Sequence, residues 1–337
     1  MHHLIFGSGL IGSYIGSVLR LNGSQVTLAA RGRWQQRLSQ SLTLTDYQNK
    51  REHISAPSLL QEGERITPDY LWLTVKCTAV EEASEDIAPL VGDNTVIICC
   101  QNGIGSHAPV EARFPDNQVL RAMVPFNVVW MEPSRLHRGS EGTLVIERQQ
   151  DISDALINML DHPMLPVTSN QDIEGVQWAK LQLNLGNGVN ALAGTPVKQM
   201  LRQRAYRRII ADLMDELLAV CRAAARPIPK VARLPGPWLP AVLRLPDWLF
   251  TRVASQMLAI DPEVKTSMWW DLQENNSTEK AFLYGAVVDE GQRVGVRCPK
   301  NRAMLALLEE AEKACAEKGD YQSQDATTLE KKLHQCK

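Results

Sequence analysis

The chain has 337 residues, a formal net charge of −2 and a composition that is 44% hydrophobic and 22% charged, which predicts a globular protein of two domains. The balanced charge excludes a global basic field for nucleic acid, the seven cysteines form no CxxC pair, and no apolar run approaches the ~20 residues of a membrane helix. We therefore expect a cytoplasmic protein without a metal site, which binds neither nucleic acid nor membrane.

The first elements are typical of a strand, a glycine turn, a helix and a second strand. An apolar run, His3 to Phe6, leads into a GxGxxG turn; a helical pattern then continues to Leu21, and a second apolar run spans Gln25 to Ala30. This order predicts the βαβ unit that binds a dinucleotide, in which the helix N-terminus faces the pyrophosphate. The residues expected at the cofactor are Gly7, Ser8, Gly9, Leu10, Ile11 and Gly12.

The end of the second strand indicates which dinucleotide is bound. An NAD site usually has a carboxylate here for the ribose 2′-hydroxyl, whereas this chain has Arg31. A guanidinium can bind a 2′-phosphate through its planar fork of donors, so we expect NADP(H). The alternative is that Arg31 and Arg33 are ordinary solvated charges.

Further strands and helices alternate up to residue 168. Buried strands are predicted at Asp69 to Val75 and Thr95 to Cys100, with a helix between them, and a strand near Val119 to Val124 follows. Leu42 to Thr45 alternates as a strand does, and residues 124–147 are typical of antiparallel edge strands. The pattern predicts a Rossmann-type, doubly wound parallel sheet in residues 1–168 and an all-α domain in residues 169–337.

Two polar residues end strands of this sheet, Lys76 and Asn102. Ligands of open α/β sheets bind at the carboxyl edge of the strands, so both are candidates to contact a cofactor and a substrate. The alternatives are a surface lysine that extends into solvent and an Asn-Gly turn.

In the second domain, the helix around residues 178–190 carries polar groups on one face. Lys180, Asn184 and Gly188 are spaced at i, i+4 and i+8, and Asn187 lies beside them. A lysine and two asparagines next to a glycine suit the wall of a pocket, although helix packing beneath a solvated polar face remains the alternative. Glycine in a helix also indicates the close approach of a ligand or another helix.

Later segments are less informative. A long amphipathic helix spans residues 202–225, and the Pro- and Trp-rich segment 226–247 is suited to covering either an active site or a partner subunit. Glu279 near the start of an apolar helix is either functional or a first-turn carboxylate that complements the helix dipole. From about residue 318 to 337 the polar composition predicts a flexible tail.

Together these residues resemble the ketopantoate reductase (2-dehydropantoate 2-reductase) family, over roughly residues 1–315. The ordered set that carries the resemblance is Gly7, Gly9, Gly12, Arg31, Lys76, Asn102-Gly103, Trp178/Lys180/Asn184, Ser267/Met268/Asp271 and Thr278-Glu279. The resemblance implies reduction of 2-dehydropantoate to pantoate by NADPH, in a monomer or a homodimer, for coenzyme A biosynthesis.

The resemblance also implies a role for each site residue. Lys180 corresponds to the general acid that protonates the carbonyl oxygen, and Glu279 to the carboxylate that binds the substrate hydroxyl and holds the lysine. The remaining substrate contacts would come from Asn102, Asn184, Ser267 and Lys76, of which Asn102 and Lys76 also touch the cofactor.

The chain departs from the family in three places. Gly188 stands where the family usually has a second asparagine, the segment 226–247 is longer and richer in Pro and Trp than expected, and Trp269 and Trp270 add bulk next to Ser267. These residues favour, as an alternative, an oxidoreductase of the same fold for a different 2-oxo acid, an imine or a bulkier hydroxy compound. A non-enzymatic NADP(H) sensor is a further alternative. Such a protein should have lost the catalytic pair, and the presence of both Lys180 and Glu279 argues against it.

Overall fold

A computed structural model describes residues 1–230, 235–255, 258 and 262–335. The chain divides into two compact units. The first comprises Met1–Asn102 and Ser106–Ile173, and the second comprises Gly103–Gly105 and the chain from Glu174 onward.

The first unit is built on a mostly parallel sheet in the order β12-β11-β8-β7-β6-β1-β2-β5, in which the β8/β11 pair is antiparallel. The predicted Rossmann-type α/β fold is confirmed. The strands of this sheet are β1 (His2–Phe6), β2 (Gln25–Ala29), β5 (Ser58–Leu59), β6 (Tyr70–Leu73), β7 (Val96–Cys99), β8 (Val119–Met123), β11 (Leu144–Glu147) and β12 (Val167–Asn170). The helices of this unit are α1 (Leu10–Leu21), α2 (Arg33–Leu38), α3 (Val80–Asp86), α4 (Ala108–Arg113) and α5 (Gln150–Leu160).

Strand β1 shows why the central strands are apolar without interruption. Its alternate residues enter two different cores: Ile5 packs in the cluster that contains Tyr14 of α1, and Leu4 in the cluster that contains Val80 of α3 and Val110 of α4. Since helices cover both faces of a parallel sheet, each residue of such a strand is buried whichever way it points.

The alternating strand at residues 42–45 belongs to a second sheet instead of the main one. This sheet has the order β4-β3-β10-β9, with β3 (Leu42–Asp46), β4 (Arg51–Ile54), β9 (Val128–Met131) and β10 (Arg135–Arg138). Strand β10 pairs in parallel with β3 and antiparallel with β9. The antiparallel material predicted in residues 124–147 is therefore divided between two sheets, because β11 joins β8 of the main sheet.

In the part of the second unit that the structure describes, the regular elements are helices, as the sequence predicts. Its helices are α6 (Ile173–Asn184), α7 (Gly186–Ala193), α8 (Val197–Arg202), α9 (Arg204–Ala223), α10 (Leu239–Leu243), α11 (Asp247–Val253), α12 (Ser267–Gln273), α13 (Ala286–Val294), α14 (Pro299–Lys318) and α15 (Ala326–Gln335), with a π-helical turn at Ala281–Gly285. Among the helices of the described residues, none combines the length and apolar composition needed to cross a membrane.

Helix α15 lies where the sequence predicts a flexible tail, and this is a correction to that prediction. Its Leu329 and Leu333 are buried, and the helix packs on α9 and α14. Two leucines one turn apart suffice to dock a helix whose other positions are polar, and the polar average composition conceals them.

In the Pro- and Trp-rich segment, residues 231–234 lie outside the described residues. The described remainder forms a short 3₁₀ turn at Gly236–Trp238 followed by α10 and α11, and α10 packs on α9. Arg207 of α9 is fully buried beneath it and donates to three backbone carbonyl groups and to the carboxylate of Asp247. Its guanidinium also lies 4.1 Å from the centre of the Phe250 ring. This buried arginine thus joins α9 to α10 and to the start of α11.

Candidate active site

The glycine turn between β1 and α1 is shaped by the close approach of the β6 end. Gly7 has φ +89°, and a Cβ on it would lie 2.6 Å from the backbone nitrogen of Val75. A Cβ on Gly12 would lie 2.3 Å from Oγ1 of Thr74, which donates to the carbonyl of Gly7. Both positions therefore require glycine for packing, not for ligand contact.

Gly9 differs, because a Cβ there would meet only the carbonyl oxygen of Gly7, at 3.9 Å. It is the N-cap of α1 and makes no side-chain capping bond. The first-turn N–H groups of α1 have no intrahelical partners, so this end of the helix offers donors and a partial positive charge. Such a turn can accept a pyrophosphate.

A cavity of about 880 Å³ opens beside this turn, wholly within the first unit. Its size lies in the range of small-molecule and cofactor sites. Its lining includes Gly7, Ser8 and Gly9, the segment from Ala29 to Gly32 after β2, residues 60–65, residues 74–76, and Asp86, Pro89 and Leu90. The open side of Gly9 and the uncapped helix end fit the phosphates of a dinucleotide.

Arg31 stands at this cavity with its side chain 76% exposed. Its Nη2 donates to Oδ2 of Asp86 at 2.9 Å, and its guanidinium lies 5.9 Å from the centre of the Phe6 ring. The contact with Asp86, which follows Arg31 by 55 positions, could not be predicted from the sequence.

The structure brings Lys76 and Asn102 to neighbouring strand ends. Lys76 is exposed and lines the cavity, and Asn102 is half-buried after β7. The thiol of Cys77 donates to the backbone carbonyl of Asn102 across 2.7 Å, which joins the two segments. This juxtaposition follows from the parallel pairing of β6 with β7.

In the second unit, Lys180 and Asn184 lie one turn apart on α6, and both are half-buried. The helical path is interrupted at Leu185, where α6 ends and α7 begins. The polar positions that the sequence predicts on one helix are therefore divided between two, with Lys180 and Asn184 on α6 and Gly188 on α7.

Tyr284, which belongs to the π-helical turn, bridges this interruption. Its hydroxyl donates to the carbonyl of Leu185 at 2.8 Å and accepts from the N–H of Gly188 at 2.9 Å. A Cβ on Gly188 would lie 2.4 Å from this hydroxyl oxygen. Burial raises the pKa of Tyr284, so the hydroxyl stays protonated as a donor. Gly188 thus accommodates a tyrosine and does not enlarge an open pocket.

Ser267 is exposed at the start of α12, and α12 packs on α7. The preceding residue, Thr266, donates two hydrogen bonds to α7: its N–H donates to Oδ1 of Asn190 at 3.0 Å and its hydroxyl to the carbonyl of Asn187 at 3.2 Å. These bonds fix Ser267 beside the helix that follows Asn184. Next to it, the Trp269 ring lies 3.6 Å from Nζ of Lys265.

Glu279 is buried in a turn that Glu312 of α14 holds in place. The backbone N–H and the hydroxyl of Thr278 donate to Oε1 of Glu312 at 2.8 and 2.6 Å, and Nζ of Lys280 lies 2.5 Å from its Oε2. The residues on both sides of Glu279 are therefore anchored to one carboxylate. The sequence gives no signal for Glu312, which lies within an ordinary charged helix.

The predicted site residues are thus distributed over both units. The glycine turn, Arg31, Lys76 and Asn102 belong to the first, and Lys180, Asn184, Ser267 and Glu279 to the second. Within the described ranges, no group of three or more His, Cys, Asp or Glu side chains is placed to hold a metal ion.

Comparison with known proteins identifies relatives of both halves. Residues 3–150 match the family model of ketopantoate reductase PanE/ApbA, and residues 172–312 match the model of its C-terminal domain. The 2-dehydropantoate 2-reductase of Archaeoglobus fulgidus is 25% identical over 309 residues, which cover 90% of this chain and 95% of that protein.

Solved structures share the fold. A PanE/ApbA family ketopantoate reductase from Ralstonia eutropha JMP134 superposes with a TM-score of 0.76 at 24% identity, covering 93% of this chain and 99% of that one. The ternary structure of D-mandelate dehydrogenase with NADH and anilino(oxo)acetate superposes with a TM-score of 0.75 at 19% identity, covering 94% and 100%. At these identities the likeness establishes the fold alone.

Proposed function

The chain belongs to the ketopantoate reductase family, a family of oxidoreductases that act on CH–OH groups, and we propose that it reduces the carbonyl of a 2-oxo acid with NADPH. The favoured substrate is 2-dehydropantoate, which would give pantoate. The observation that carries the proposal is the match of both halves, because it includes the cofactor cavity of the first unit and the helices of the second.

The first unit would hold the cofactor. The open side of Gly9 and the donors at the start of α1 suit the pyrophosphate, together with Ser8, Leu10 and Ile11 of the same turn. Arg31 would bind the 2′-phosphate that distinguishes NADPH, since a guanidinium presents several donors to such a group. Lys76 and Asn102 would extend the contacts to the far end of the cofactor and to the substrate.

The second unit would supply the proton. A reduced nicotinamide, when bound, supplies a hydride to the carbonyl carbon, and the two electrons of the C=O π bond move onto oxygen. Lys180 would donate its ammonium proton to that oxygen and stabilise the negative charge as it develops. Glu279 would bind the substrate hydroxyl and help to keep Lys180 charged, while Asn184 and Ser267 would orient the substrate.

A second candidate is reduction of a bulkier 2-oxo acid, which the fold shared with D-mandelate dehydrogenase favours. Of the three departures from the family, Gly188 no longer supports it, because Tyr284 covers that position. Trp269 and Trp270 remain, in a T-shaped pair with ring centres 4.8 Å apart next to Ser267. The oligomeric state, monomer or homodimer, stays a prediction.

The test is NADPH oxidation, followed by absorbance, with 2-dehydropantoate, phenylglyoxylate and pyruvate as alternative substrates. We expect the highest kcat/KM with 2-dehydropantoate. Faster turnover of phenylglyoxylate would favour the second candidate, and NADPH binding without any turnover would favour the sensor over both.

Lys180→Ala tests the role of the proton donor. General acid catalysis contributes about 10²–10⁴-fold, so kcat should fall by that factor while the NADPH dissociation constant stays within about twofold. Lys313→Ala is the matched control, since that side chain is 76% exposed in the same unit. A decrease in kcat of less than about threefold for Lys180→Ala would exclude this residue as the acid.

A further inference from the structure

We infer that Asp86 is a specificity-determining residue of the cofactor site, which weakens the preference for NADPH over NADH. The inference rests on the proposed function, because it concerns the same cavity. Asp86 is a carboxylate that the glycine-turn motif does not include, and it lies at the end of α3.

The geometry places Asp86 against the group expected to bind the 2′-phosphate. It is the last residue of α3 and lines the cavity together with Arg31. Its Oδ2 lies 2.9 Å from Nη2 of Arg31, with side-chain exposures of 37% and 76% respectively. Both groups reach water, and an exposed ion pair of this kind is weak enough to be broken by a stronger anion.

The charge of the cavity wall points in the same direction. Its lining contains Arg31, Arg65 and Lys76, and against them Glu62, Glu64 and Asp86. The formal charges of these six side chains cancel, so the wall as a whole supplies no excess of positive charge for an added phosphate. The attraction of Arg31 for such a group is thus set against carboxylates, of which Asp86 is the one in contact with it.

The size of the effect follows from the separation of the charges. Two anions that bind the same guanidinium lie roughly 6 Å apart, and in water unit charges at that distance change affinity by about threefold per charge. Salt reduces the repulsion between the Asp86 carboxylate and a doubly charged phosphate, and burial of the two groups increases it. Removing the charge of Asp86 should therefore lower the dissociation constant of NADPH by about three- to tenfold. NADH has a neutral hydroxyl at this position, so its affinity should change by less than about twofold.

The experiment measures the dissociation constants of NADPH and NADH by calorimetry for the wild-type protein, Asp86→Asn and Asp86→Glu. The asparagine variant should bind NADPH more tightly at low ionic strength, and the gain should shrink at high ionic strength. The glutamate variant keeps the charge and should resemble the wild type. Asp116→Asn is the control, because it removes an exposed carboxylate of the same unit outside the cavity.

The inference is overturned if Asp86→Asn weakens the binding of NADPH, because Asp86 would then be a residue that orients Arg31. It is also overturned if the dissociation constants of NADPH and NADH change by the same factor. It is also overturned if Asp116→Asn has the same effect, since the effect would then come from net charge alone. Binding of NADPH by the wild type with no response to Asp86→Asn would refute this inference and leave the proposed function standing. Failure of the wild type to bind either nucleotide would refute the proposed function itself.

Discussion

Replacement of Gly188 by alanine should destabilise the second unit, whereas the same change at Gly186, two residues earlier in α7, should not. At Gly188 the new Cβ would lie 2.4 Å from the hydroxyl oxygen of Tyr284 and 2.9 Å from two ring carbons. At Gly186 the nearest atom is Cδ1 of Ile210, at 3.5 Å, which is ordinary van der Waals contact. The two variants therefore make the same chemical change in different surroundings.

The magnitudes follow from the contacts. Alanine in place of glycine favours a helix by up to about 1 kcal/mol, and this gain applies to both variants. At position 188 the tyrosine must move away, and its hydrogen bonds to Leu185 and Gly188 are lost. Each buried backbone group left unpaired costs about 1–3 kcal/mol, so we expect a net loss of about 2–4 kcal/mol for Gly188→Ala. Gly186→Ala should be neutral or stabilising.

Urea unfolding followed by circular dichroism measures both free energies. Tyr284→Phe, which removes only the hydroxyl, should cost at least about 2 kcal/mol by the same reasoning, since it leaves both groups unpaired. In the double variant the two losses should overlap instead of adding, because both remove the same pair of hydrogen bonds. Equal unfolding midpoints for Gly188→Ala and Gly186→Ala would show that Tyr284 does not fill this space, and strict additivity would show that the hydroxyl does not bridge the two helices.

Two further predictions concern other buried contacts. Arg207→Met should lower the free energy of unfolding by about 3–5 kcal/mol, because it leaves buried carbonyl groups and Asp247 without their donor. The control variant Arg204→Met loses one exposed hydrogen bond and should lower the free energy of unfolding by less than about 1 kcal/mol. Equal losses for the two variants in urea unfolding would contradict the anchoring role of Arg207. Hydrogen bonds from Arg293, together with Arg226, lower the pKa of Glu290 from 4.5 to about 2, against a smaller opposing effect of burial. A carboxylate with a lowered folded-state pKa stabilises above pH 4.5, and this contribution is lost as the pH falls towards 2. Glu290→Gln should thus lower Tm at neutral pH, and the difference should vanish near pH 2; a difference that is constant with pH would assign it to packing.

Local patterns in the sequence determined the parallel core of the main sheet in the first unit, although not the second sheet. A buried strand, a glycine turn and an amphipathic helix each have a characteristic period, and their order leaves one handedness for the crossover. Local patterns also predicted that Arg31 lies at the end of β2 and that Lys76 and Asn102 lie at the ends of neighbouring strands. This follows because parallel strands present their carboxyl ends to one edge of the sheet. The roles of these residues, and of Lys180 and Glu279, stay predictions.

Tertiary structure alone decided how the helices of the second unit are held. Tyr284 lies 96 positions after Gly188, so nothing local in the sequence shows that the glycine serves a tyrosine instead of a ligand. Glu312 reaches Thr278 across 34 positions, and Asp86 reaches Arg31 across 55. Such contacts depend on how whole elements pack, and a periodic pattern specifies which face of an element is buried but not which partner covers it.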